Sequence, residues 1–201
     1  MRVDRKFGRE DSVAELREAI PRGRAALEVT EGCSILEGGA WRGLYTQGAL
    51  DVLMQEGILF QTTIGISAGA MSGIAYLSGS IGMSARWNLG HRLDPSYFGK
   101  TAFRTDHGIT GFRYFFEKSQ EEEPVDAERF WDRRREFIVG ATNCLTGRVH
   151  YFRKNSHIPG DGEPSDWSEE NSFLRAIAAS ASVPYLSLPV RIDDVPYLDG
   201  S

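Results

Sequence analysis

The sequence predicts one α/β domain with parallel strands at its centre. Three observations lead there. Apolar runs of strand length alternate with helical patterns, glycine turns separate them, and 201 residues suit a single domain. Residues 1–31 form a polar N-terminal extension, with a short helix expected over 12–20 and stopped by Pro21. Cys33–Leu36 reads as a strand feeding the turn at Gly38-Gly39. Leu44, Gly48, Leu50, Leu53 and Met54 then recur at three-to-four spacing, which predicts a helix to Glu56, with Gly57 just past its end. Phe60–Ile66 is a second strand. A helix rich in small residues follows from Ala68 to about Ser80, able to pack closely on a sheet. Strand–helix–strand–helix order implies parallel strands with right-handed crossovers.

The second half is less regular. Trp87 to Lys118 is rich in aromatic residues, which suit helices packed onto the sheet. Glu121–Glu123 and Arg133–Arg135 are short charge runs expected to be solvated. Phe137–Cys144 is a strand whose hairpin partner, Val149–Phe152, lies across the turn at Thr146-Gly147. A polar loop over 155–171 leads to a helix at Ser172–Ser182, stopped by Pro184, and Val195–Leu198 is the last strand.

Composition narrows the function classes. Hydrophobic residues make up 41 % and charged residues 25 %, which excludes disorder and collagen for the bulk of the chain. A net charge of -5 argues against nucleic-acid binding, which runs on clustered Lys and Arg. The most apolar stretch, Thr63 to Met83, is broken by Gly65, Gly69, Gly73, Gly79 and Gly82 and is no membrane span. Cys33 and Cys144 sit in apolar runs and read as buried free thiols of a reducing compartment. With a charged N-terminus, this points to the cytoplasm.

One motif carries chemistry: Gly65-Ile66-Ser67-Ala68-Gly69, between a strand and a helix. A Gly-x-Ser-x-Gly turn there forces the serine out of the sheet edge, while its glycines avoid clashes. The helix that follows aims its positive end at the serine. A plain turn serine is the competing interpretation of Ser67. A serine nucleophile also needs an oxyanion site and a base. The glycine turn at 38–43 offers backbone N–H groups for the first. It fits neither a dinucleotide fingerprint, which wants Gly at Ala40, nor a phosphate loop, which wants Lys-Ser/Thr where Leu44-Tyr45 stand. Arg42 would either neutralise an anionic group of the substrate or sit at the surface. None of His91, His107, His150 and His157 occupies the late position a Ser–acid–His triad requires. Asp199, directly after the last strand, is the alternative base. A solvated carboxylate is a weak base, and burial beside the serine would strengthen it.

Four blocks in order resemble the patatin-like phospholipase family, from about Ser34 to the last residue. They are Glu37-Gly38-Gly39-Ala40-Trp41-Arg42-Gly43, Gly65-Ile66-Ser67-Ala68-Gly69, Ala179-Ser180-Ala181-Ser182-Val183-Pro184 and Asp199-Gly200-Ser201. The resemblance implies a three-layer sandwich with a mainly parallel central sheet and a nucleophile elbow. It also implies a lipid acyl hydrolase working through an acyl-enzyme, with Ser67 as nucleophile, Asp199 as base and an oxyanion hole at Gly38, Gly39 and Ala40. No metal or organic cofactor is implied. The expected partner is a lipid or acyl-ester substrate, with transient contact at a membrane surface; oligomeric state is left open. A catalytically idle lipid- or protein-binding member and an acyltransferase on the same dyad are the alternatives. The aromatic 97–116 segment becomes a candidate wall for an acyl chain. Ala40 stands where the family has Gly and, at positive φ, would cost about 1 kcal/mol. Ser201 replaces a small residue of the last block. The domain, 32–201, is expected to continue past Ser201, so that the 201-residue chain alone would be unstable or nearly inactive.

Overall fold

The structure, a computed structural model, describes residues 15, 17–154 and 171–201. Of the helix expected over 12–20, residues 17–19 are helical and the start lies outside the described residues, as do His157 and nearly all of the 155–171 loop. The strands are β1 (Gly23–Arg24), β2 (Thr30–Leu36), β3 (Phe60–Ile66), β4 (Ser80–Ile81), β5 (Glu136–Asn143), β6 (Arg148–Arg153), β7 (Val190–Ile192) and β8 (Val195–Leu198). The helices are α1 (Gly43–Gln55), α2 (Ala68–Leu77), α3 (Met83–His91), α4 (Lys100–Thr105), α5 (Phe112–Glu122), α6 (Ala127–Phe130) and α7 (Ser172–Ser180).

The architecture is α/β with a mixed central sheet flanked by helices. Parallel pairing is confined to β2–β3–β5; beyond it the sheet is antiparallel, with β6 and β8 both running against β5 and β7 against β8. The β5–β6 hairpin is as expected, but the sheet is less parallel than expected because β8 runs against β5, and β7 against β8 across a turn at 193–194 too short for a crossover.

Helices α2 and α7 cover one face. Phe137, Val139 and Ala141 of β5 point into it and are fully buried against Leu174, Ile177 and Phe173. Gly73 allows α2 to lie this close, since a Cβ there would stand 2.3 Å from the Phe137 ring. On the opposite face, Ile35, Val149 and Tyr151 remain exposed.

Several charged and thiol groups are placed differently from expectation. Arg135 is buried and donates to the Tyr76 and Leu77 carbonyls, so it caps the C-terminus of α2. Glu123 is not solvated either; both its oxygens accept from the buried Arg86 at 2.7 and 2.8 Å. Cys33 and Cys144 are exposed, one on the edge strand β2 and the other in the turn after β5, rather than buried.

Lys154 is a buried cation whose Nζ donates to the carbonyls of Phe130 at 2.5 Å and Asp132 at 2.9 Å. Burial, helped by nearby Arg135, pushes its ammonium down to about 7. Above that value the native chain has lost the proton while the unfolded chain still holds it, up to about 10.4. Unfolding then takes up a proton, so this group makes stability rise with pH, by at most about 1.4 kcal/mol per unit. We expect the melting temperature of Lys154→Met to lose that upward component between pH 7.5 and about 9.5, measured against wild type in the same buffers.

Candidate active site

Two strand ends converge over β5. Strand β3 pairs Ile66 with Gly140, and β8 pairs Leu198 with Thr142 from the opposite direction, along the same edge of β5. The residue after each strand, Ser67 and Asp199, therefore arrives beside Ala141. Ser67 Oγ donates to Asp199 Oδ2 at 2.7 Å, and both residues are 6 % exposed.

The backbone at the serine is forced. Ser67 has φ 55° and ψ -122°, a strained conformation for a residue with a Cβ. Its neighbours leave no room for any other side chain. A Cβ on Gly65 would lie 2.8 Å from the Ala70 backbone, and one on Gly69 would lie 2.1 Å from the Leu36 carbonyl oxygen. Serine at a helix N-cap ordinarily accepts from the first-turn N–H groups. Here it caps nothing, and its hydroxyl faces Asp199 while α2 presents its positive end behind it.

The Asp199 side is equally held. Asp199 Oδ1 accepts from the Ser201 N–H at 2.9 Å and the Ser201 hydroxyl at 2.5 Å, which leaves Oδ2 to Ser67. The Asp199 N–H donates to the Ser182 carbonyl at 2.9 Å.

The glycine turn lies against the serine. A Cβ on Gly38 would stand 3.0 Å from Ser67 Cβ, so only glycine lets the turn approach this closely. Ala40 has φ 48°, the left-handed region where a Cβ is strained. Among the described residues, the N–H groups of Gly38, Gly39 and Ala40 donate to no acceptor. Arg42 is exposed, with Nε 3.4 Å from the Gly39 carbonyl, and helps line a groove of about 580 Å³ with Glu37, Gly38, Trp41 and Tyr45.

The same stretch of chain resembles known proteins. Residues 35–201 match the family model described as patatin-like phospholipase, most of the chain's length. The chain belongs to the patatin-like phospholipase family. Members are typically lipid acyl hydrolases. The chain is also 24 % identical over 171 residues to the uncharacterized protein YjjU of Escherichia coli (strain K12), covering 83 % of this chain and 44 % of that one. The fold is similar to that of VipD from Legionella pneumophila, with a TM-score of 0.51 and 13 % identity over 92 % of this chain and 51 % of that one. The chain thus spans about half the length of each.

Within this patatin-like domain, no described histidine stands beside Ser67. His91 stacks on Trp87 and meets Glu122 and Tyr114; His150 packs on Phe152 and Tyr197; His107 lies in the loop before α5. Among the described residues no group of His, Cys, Asp and Glu is arranged to hold a metal, and no helix is long and apolar enough to cross a membrane. Ser180 is the residue whose part sequence inspection missed. Fully buried at the end of α7, its hydroxyl accepts from the Ser67 N–H at 2.8 Å and donates to the Gly140 carbonyl at 2.6 Å. Its own carbonyl accepts from the Gly200 N–H at 3.3 Å. The Ala-Ser-x-x-x-Pro segment was the available signal; nothing in it says which backbone groups that serine meets.

Proposed function

We propose that this protein is a serine lipid acyl hydrolase, of phospholipase A, lysophospholipase or esterase type, working through a Ser67–Asp199 dyad. The observation that carries this is the buried 2.7 Å hydrogen bond from Ser67 Oγ to Asp199 Oδ2. Ser67 Oγ attacks the ester carbonyl carbon as its proton passes to Asp199 Oδ2. The N–H groups of Gly38, Gly39 and Ala40, with the N-terminus of α2, receive the oxyanion. As the tetrahedral intermediate collapses, Asp199 returns the proton to the leaving alcohol oxygen, and the acyl group stays on Ser67. Asp199 then takes a proton from water, which attacks the acyl carbonyl. Collapse of the second intermediate releases the carboxylic acid and restores the Ser67 hydroxyl.

The acyl chain has a candidate berth. A cavity of about 410 Å³ lies between α5, α7 and the 182–190 segment, with Phe112, Phe116, Ala178, Leu188 and Val190 on its apolar side and Asp106, Arg113 and Arg175 on its polar side. Phe112 and Phe116 come from the aromatic 97–116 segment. Ser182, whose carbonyl holds the Asp199 N–H, also faces this cavity.

The proposed chemistry is tested by a fluorophosphonate probe, whose phosphorus is attacked by an activated serine with loss of fluoride. The expected result is one adduct, localised by mass spectrometry to the peptide containing Ser67. Labelling at another serine, or none in a folded protein, overturns the proposal and favours an idle binding member.

A further inference from the structure

We infer that the rim around Ser67 is a docking surface for an anionic phospholipid bilayer; this deepens the lipid-hydrolase reading above and rests on it. The rim can be traced as a closed path. From Asp199 it passes to the Ser182 carbonyl and runs on through 183–188. That segment is hydrogen-bonded to the 107–109 loop, from Ile109 N–H to the Leu186 carbonyl and from Leu188 N–H to the His107 carbonyl. Thr110 then bridges to Phe98, and the Phe98 ring lies 5.6 Å from that of Trp41. Trp41 follows the Gly38–Ala40 turn, which returns the path to Ser67. The dyad, where the path starts and closes, is itself buried.

What the rim shows to solvent is apolar and aromatic. Tyr185 is 103 % exposed, Tyr45 88 % and Leu186 46 %, while Trp41 and Phe98 are each 38 % exposed. Tyr185 is held outward with φ 68°, away from any protein neighbour that would bury it. Aromatic side chains with one polar end suit the level of lipid headgroups. Arg42 follows Trp41, and Lys100 and Arg104 lie on α4, which follows Phe98; all three are exposed and in no ion pair with the described residues. Three unpaired cations at the mouth of a chain with net charge -5 set up a local field that attracts an anionic surface. Glu37 is the exposed carboxylate beside them. A bilayer satisfies both features at once, and it brings ester groups to the opening above a buried serine.

Vesicle co-sedimentation of the full chain tests this, using the Ser67→Ala background so that no lipid is consumed. Vesicles are phosphatidylcholine alone or mixed with phosphatidylserine. We expect Tyr185→Ser with Leu186→Ser to lower the partition coefficient on both by about tenfold or more. Lys100→Gln with Arg104→Gln should remove only the gain from phosphatidylserine, as should high salt. With Ser67 restored, both variants should keep wild-type melting temperature and turnover of a soluble short-chain p-nitrophenyl ester. Unchanged vesicle binding by the Tyr185/Leu186 variant, or no binding by the parent, overturns the inference. So does a parent that is dimeric through this rim and monomeric as that variant. Rim-dependent vesicle binding by a protein whose restored Ser67 form hydrolyses no ester supports the surface while removing the proposed chemistry, so the two fail separately.

Discussion

Ser67→Ala and Asp199→Asn should each lower kcat on a short-chain p-nitrophenyl ester by about 10⁴-fold or more, with KM little changed. The Ser67 side chain hydrogen-bonds Asp199 alone among the described residues, so the first replacement removes the attacking oxygen without opening the core. The second keeps the shape of the carboxylate but removes its capacity to take a proton. The informative measurement is the double variant. If the two groups act as one unit, combining the changes costs hardly more than either alone. Effects that multiply, or a Ser67→Ala protein with wild-type turnover, would remove the dyad from the mechanism. Near-wild-type melting temperatures for all three proteins make the rates comparable.

The second large effect is expected at Ser180. Ser180→Ala leaves the Ser67 N–H and the Gly140 carbonyl without their shared partner at a fully buried position. A buried backbone group left unpaired costs about 1–3 kcal/mol, so two such groups lower stability measurably. The rate should fall as well, by about 100-fold in kcat, because the Ser67 backbone would no longer be tied to β5, and a shift of about 1 Å can cost that much. Ser180→Thr keeps the hydroxyl and should recover part of kcat despite its extra methyl group. A purely structural role predicts otherwise: kcat per folded molecule would stay at the wild-type value in Ser180→Ala, and only the melting temperature would move.

Local features were legible in the sequence wherever a short-range rule governs them. Strands β3 and β8 begin and end with the apolar runs Phe60–Ile66 and Val195–Leu198. Helix α1 stops before Gly57, whose φ of 72° only glycine adopts freely. The elbow spacing was visible because Gly65 and Gly69 answer to clashes within a few residues or with the next strand end. Patterning showed the β5–β6 hairpin but not that β8 and β7 extend the sheet antiparallel. The short strands β7 and β8 carry no signal for the direction of a distant neighbour. Nor could residue type separate Arg135 from Arg133 and Arg134, although only Arg135 turns inward to meet the end of α2.

By itself, then, the sequence determined the order of the elements that carry the site, the serine at a strand-to-helix turn, and the carboxylate after the last strand. Only the tertiary structure decided that Ser67 and Asp199 meet. Their meeting depends on two strands approaching the same edge of β5 from opposite ends and on Ser180 tying the elbow to that strand. Register is set by pairing between segments far apart in the chain. A motif records which residues can serve, and the sheet determines whether they come within a hydrogen bond of each other.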